Sequence, residues 1–159
     1  MLQQHSFPLA ALAVTFFLGP LTAQQPVACS LLTEAQVDAA LEIKSLPGKS
    51  PIPSAPQLCR WSDDPNGSGD NRRLNLSLMK IAAFDMGKSN TQLKPEPVSG
   101  IGDEAYYEVF GSDSPVLVVR KGSSAFNLRI LNGLKFKAFA VGEVKAKEAE
   151  LAKEVVAKL

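Results

Sequence analysis

Histidine occurs once in this chain of 159 residues, at His5, tryptophan once, at Trp61, and cysteine twice, at Cys29 and Cys59. Each scarcity excludes something. A chain with a single histidine near its start has no second imidazole to serve as general base or zinc ligand. Two cysteines thirty positions apart are too distant for a Cys-x-x-Cys redox centre, and too few soft ligands for a structural zinc site. The first basic side chain is Lys44, so an export leader at the start of the chain would lack the usual positive n-region. Basic residues interleaved with exposed aromatics in the manner of a nucleic-acid surface are not seen, and nucleic acid is not an expected partner.

Long apolar runs are absent except at the start. Residues 7–18 are apolar apart from Thr15, and Gly19 and Pro20 break the run. It is too short to cross a bilayer. Leu21, Thr22 and Ala23 follow and present a small residue at the cut, and the pattern predicts a cleavable secretory signal over residues 1–23 with a new N-terminus at Gln24. A basic n-region is not present. The expected location is periplasmic or extracellular, and the mature part, residues 24–159, would hold one domain, no histidine and no transmembrane segment. Pro26, Val27 and Ala28 before Cys29 match a lipobox only in part, leaving lipidation of Cys29 open beside a disulfide. In an oxidising compartment the two cysteines have one intramolecular partner each, and Cys29 paired with Cys59 is the expected bridge.

What is present is the patterning of a small α+β domain. Thr33 and Gln36 form a capping box, with Leu32 and Val37 spaced as a hydrophobic staple, so a helix is expected from Glu34 to near Ile43. Prolines 47, 51, 53 and 56 make a stiff connection. It leads to a strand over residues 58–62, and a polar turn over 63–71 returns the chain into alternating Leu74, Leu76 and Leu78 as a hairpin. A short helix is expected over residues 84–90, ended by Pro95 and Pro97. Residues 105–110, 116–121 and 126–131 read as an antiparallel meander. Residues 134–142 are open between a connection and an edge strand. From Glu143 the chain reads as a helix, with Leu151, Ala152, Val155, Val156 and Leu159 on one face and Glu143–Lys147 and Glu154–Lys158 as i,i+4 pairs on the other. The expected order is α-β-β-α-β-β-β-α, an antiparallel sheet of about five strands with helices packed on it and one disulfide.

Three motifs carry possible chemistry. Gly100, Ile101, Gly102, Asp103, Glu104 and Ala105 resemble a dinucleotide fingerprint, yet a strand follows where the fingerprint needs a helix, so a glycine turn is the expectation. Asp64, Asn66, Ser68, Gly69 and Asp70 begin a calcium-loop spacing whose twelfth position is Asn75 instead of glutamate; a hairpin loop is expected. Asp103 and Glu104 are the least implausible carboxylates for an envelope hydrolase, although adjacent strand residues point to opposite faces. No catalytic, metal or cofactor residues are assigned, and no enzyme is expected. Residues 120–159 carry nine basic and four acidic side chains, a charge that suits anionic partners such as lipid headgroups.

The run Cys29, Ser30, Leu31, Leu32, Thr33, Glu34, then Cys59 and Trp61, then V-S-G-I-G-D-E-A-Y-Y over residues 98–107 resembles exported bacterial domains of unknown function, among them small actinobacterial cell-envelope lipoproteins with a PsbP-like fold. The resemblance implies a non-catalytic role, binding a protein or lipidic partner at the envelope. The leading expectation is an exported soluble binding or interaction domain. A lipid or small apolar ligand carrier is the alternative, its pocket lined by Tyr106, Tyr107, Phe110, Phe126 and Phe136.

Overall fold

The computed structural model describes residues 27–65, 71–110 and 114–159, with the backbone alone at Phe110. The leader with its cleavage point, His5, and four of the five calcium-loop positions lie outside the described residues.

The elements follow one another as α1 (Glu34–Leu41), β1 (Leu58–Ser62), β2 (Arg73–Met79), α2 (Ile81–Ser89), β3 (Glu96–Val98), β4 (Glu104–Phe110), β5 (Ser114–Lys121), β6 (Ser124–Leu131) and α3 (Val141–Val156). The strands make one antiparallel sheet in the order β1-β2-β6-β5-β4-β3. The α+β class, the β1–β2 hairpin and the β4–β5–β6 meander stand as expected. Six strands replace about five, because the segment holding Pro97 pairs with β4 (Glu96 with Tyr107, Val98 with Ala105) where a terminator was expected. Pro97 is compatible with that position because β3 is an edge strand.

The capping box at α1 is formed, with Gln36 N–H donating to the Thr33 hydroxyl and Thr33 N–H donating to the Gln36 side chain. The helix ends at Leu41 because Glu42 turns left-handed, with φ 54°. Cys29, in a short 3-10 turn, is bonded to Cys59 on β1, with the two Cα atoms 5.1 Å apart. The disulfide thereby ties the approach to α1 onto the sheet.

Strand alternation divides the sheet into two faces. The inner face presents Cys59, Trp61, Leu74, Leu76, Phe126, Leu128, Ile130, Leu117, Val119, Ala105 and Tyr107, all buried against α1 and α3. The outer face holds a smaller cluster of Tyr106, Val116, Val118 and Ala125 under Phe84 of α2. Topology accounts for that asymmetry. The chain must pass from β2 to β3 on the far edge, and α2 lies on this crossing. Gly87 lets α2 approach closely, since a Cβ there would sit 2.4 Å from the Tyr106 hydroxyl and 2.7 Å from Glu108 Oε1.

Two local expectations are corrected and one open alternative is decided. The second helix starts at Ile81, earlier than residue 84, because Ile81 joins the outer cluster; its N-cap Lys80 makes no side-chain cap bond that the sequence could announce. Residues 134–142 form no strand, and the last helix begins at Val141. The i,i+4 pairs on α3 give way to longer reaches: Lys147 pairs with Glu42, Lys158 donates to the Leu31 carbonyl, and Glu154 accepts from Gln36. These side chains stitch α3 to α1 and to the segment before it.

Candidate functional site

On the outer face α2 covers β4, β5 and part of β6, and among the described residues no helix lies on the half formed by β1, β2 and the end of β6. That half is polar. Register places Arg60 beside Asn75 and Asn75 beside Arg129, in one row across three strands. At a strand spacing of about 4.8 Å, Arg60 and Arg129 stand about 10 Å apart at Cα, and Arg73 lies on the diagonal between them. Ser77 and Asn127 form the next row. All three arginines are half-buried.

The cluster is ordered by its own contacts. Arg60 Nε donates to Asn75 Oδ1 at 3.0 Å. Burial, followed by the neighbouring charges of Arg60 and Arg129, lowers the Arg73 pKa from its ordinary value. The group remains a guanidinium, because arginine starts so far above neutral pH. Arg129 Nε is buried and makes no hydrogen bond. Among the described residues no carboxylate lies within ion-pair distance of Arg60 or Arg129. Among the described acids, Glu108 is turned toward Tyr106 and α2, and Asp64 lines the cleft at the β1 edge.

At the β1 edge this face meets a cleft of about 480 Å³ between the proline segment and the strand, lined by Pro47, Lys49, Pro51, Arg60, Ser62 and Asp64 among others. The segment is fastened by reciprocal backbone bonds between Lys49 and Arg60, at 3.1 and 2.9 Å. Gly48 permits this, for a Cβ there would fall 2.4 Å from the Trp61 ring. The cleft presents Arg60, Lys49 and the Asp64 carboxylate together, with Lys49 Nζ donating to Pro65 O at 2.6 Å and the Ser50 hydroxyl donating to Ile52 O and Ala55 O.

The residues singled out from sequence fall elsewhere. Tyr106 and Tyr107 point to opposite faces: the Tyr106 hydroxyl donates to Phe84 O at 2.9 Å in the outer cluster, and that of Tyr107 donates to Lys145 O at 2.6 Å under α3. Phe126 is fully buried in the inner core, Phe136 lies in the β6–α3 connection 5.1 Å from the Arg72 guanidinium, and the Phe110 side chain is outside the description. Among the described side chains the aromatic set is thus divided, with Tyr106 in the outer cluster and Tyr107 and Phe126 in the inner core.

Asp103 and Glu104 also serve separate ends. Asp103 accepts from Gly122 N at 2.6 Å and from Lys121 Nζ at 3.0 Å, closing the β5–β6 turn; Glu104 pairs with Lys88 and with Arg120. Their hydrogen bonds, to Gly122 and to Lys88 respectively, are the largest causes that hold both carboxyls below the ordinary range. Both are therefore anions at neutral pH, and neither has the raised pKa of a general acid.

The arginine row was missed because its members come from three segments. Each strand announces its own polar face, with Arg60 between Cys59 and Trp61, Asn75 between leucines and Arg129 between Leu128 and Ile130. Only the β1-β2-β6 order brings those faces side by side. Compared with family models, curated proteins and solved structures, the chain matches none.

Proposed function

We infer that the chain is an exported, non-catalytic binding domain whose binding surface is the uncovered half of the outer sheet face, and that its ligand carries phosphate or carboxylate groups. One observation carries this reading: Arg60 and Arg129 flank Asn75 on a face that no helix of the described residues covers, beside a rigid cleft that shares Arg60. Arg60 and Arg129 have no ion pair among the described residues, and guanidinium groups bind oxyanions with two parallel hydrogen bonds. Export of the domain rests on the leader, and its resemblance to envelope domains points toward the same non-catalytic role.

The test is native mass spectrometry of protein purified from the exporting cell, with the denatured mass read from the same sample. The expected result is a denatured chain starting at Gln24 and two hydrogens short, with an added anionic mass in the native spectrum that an Arg60→Ala, Arg129→Ala double variant loses. Titration with pyrophosphate and with citrate separates phosphate from carboxylate recognition. Equal binding of both anions by wild type and the folded double variant, or binding by neither protein, would overturn the assignment of this face.

A further inference from the structure

Beyond the sheet face, the connection between β6 and α3, residues 132–140, presents an apolar residue to water on a rigid base. Leu134 at its tip is 87% exposed, the most exposed large apolar side chain among the described residues. A lone exposed leucine is ordinary on a loose loop. This loop is fastened at three points. Asn132 donates through Nδ2 to Phe139 O at 3.2 Å and accepts through Oδ1 from Phe139 N at 3.0 Å, so one side chain closes the loop across its neck. Buried Arg72 donates to Lys137 O, and its guanidinium lies 3.8 Å from the Phe139 ring centre and 5.1 Å from that of Phe136. Lys147 Nζ sits 4.6 Å from the Phe139 ring centre on α3. The two aromatics of the loop are thus turned inward to hold it, while Leu134 is turned out.

The charges around the tip have one sign. Lys135 and Lys137 flank Phe136 and are exposed, and residues 132–142 contain no acid. Of the acids close by, Glu42 is engaged by Lys147 and Arg72, and Glu143 lies in the first turn of α3. An apolar tip ringed by lysines is the arrangement that inserts at a membrane interface, with the leucine at the headgroup–acyl boundary and the ammonium groups among lipid phosphates.

We propose that residues 132–140 dock this domain on an anionic lipid bilayer, with Leu134 as the inserted residue and Lys135 and Lys137 as the headgroup contacts. The attachment is weak and reversible, since one side chain enters the bilayer, and salt weakens it. Leu134, Lys135 and Lys137 are not members of the arginine row, so variants at one set of residues leave the other set in place.

The test is co-sedimentation of the exported protein with vesicles of phosphatidylcholine alone and of phosphatidylcholine mixed with phosphatidylglycerol, at low and high salt. Binding is expected on the anionic vesicles only. Leu134→Ser is expected to weaken it by about tenfold, the loss of one buried apolar side chain. Lys135→Glu with Lys137→Glu is expected to weaken it by tenfold or more at low salt. All three positions are exposed, and an unchanged melting temperature would show the variants folded. Failure to bind, equal binding to neutral vesicles, or binding that Leu134→Ser leaves intact would each overturn the proposal.

Discussion

Ile130 donates its backbone N–H to Glu148 Oε1 at 2.7 Å, placing a carboxyl at the centre of the inner core. Pairing between β5 and β6 ends at Leu117 with Leu128, and continuing the register would put Pro115 opposite Ile130. The strands part there, and the α3 side chain takes up the amide that the sheet leaves over. Glu148 Oε2 has no hydrogen-bond partner, and burial raises the acid's pKa to about 8, overcoming the opposing effects of the Ile130 amide, Arg129 and Lys145. Tyr107, whose own pKa is raised by burial and then by Glu148, packs on the same side.

A signed pH dependence follows. The folded value near 8 exceeds the ordinary 4.5, so the stability contributed by protonated Glu148 is fully present below about pH 4.5 and is lost as pH rises toward 8. In that window stability should fall by up to about 1.4 kcal/mol per pH unit. Glu148→Gln keeps the acceptor for Ile130 N and removes the titration. Urea denaturation at pH 5 and pH 8 should show the variant gaining on wild type by about 2–4 kcal/mol at the higher pH. Parallel pH profiles would refute the assignment. Asp103, Glu104 and Glu42, all with lowered pKa values, act in the opposite direction at acid pH and are common to both proteins.

Removal of the Cys29–Cys59 bond should cost about 3–4 kcal/mol, the chain-entropy value for a loop of this length. A Cys29→Ser, Cys59→Ser variant compared with wild type in urea measures it. A loss below about 1 kcal/mol would show that the 3-10 turn and β1 hold together without the bond.

Arg72→Lys should destabilise by about 1–3 kcal/mol despite keeping the charge. The ammonium cannot reach the Leu41 and Lys137 carbonyls together while stacking on Phe139, as the guanidinium does. Amide exchange at Phe139 should accelerate in the variant; an unchanged melting temperature and exchange rate would sink this account of the loop base.

Gly102 and Gly100 separate conformational strain from collision. Both have positive φ, 61° and 81°, but a Cβ on Gly102 would lie 2.5 Å from the Arg120 carbonyl, whereas one on Gly100 would meet nothing within 4 Å. Gly102→Ala should therefore destabilise by about 2–4 kcal/mol and Gly100→Ala by about 1 kcal/mol, measured by thermal unfolding. Equal losses would disprove the contact.

Local chemistry determined much of this protein in advance. The Thr33–Gln36 box sets the start of α1, alternation sets β2 and β6, and two cysteines allow one intramolecular bridge, because each depends on neighbours in the chain or on counting alone. Tertiary structure decided the rest. Pro97 became a strand residue because β3 is at an edge, and Glu148 became a core residue because the stripe through Val144 and Leu151 also passes through it. Arg60, Asn75 and Arg129 became a row only when β6 paired with β2. Strand order depends on which apolar faces bury together, a free energy summed over the whole domain, and no segment carries it by itself.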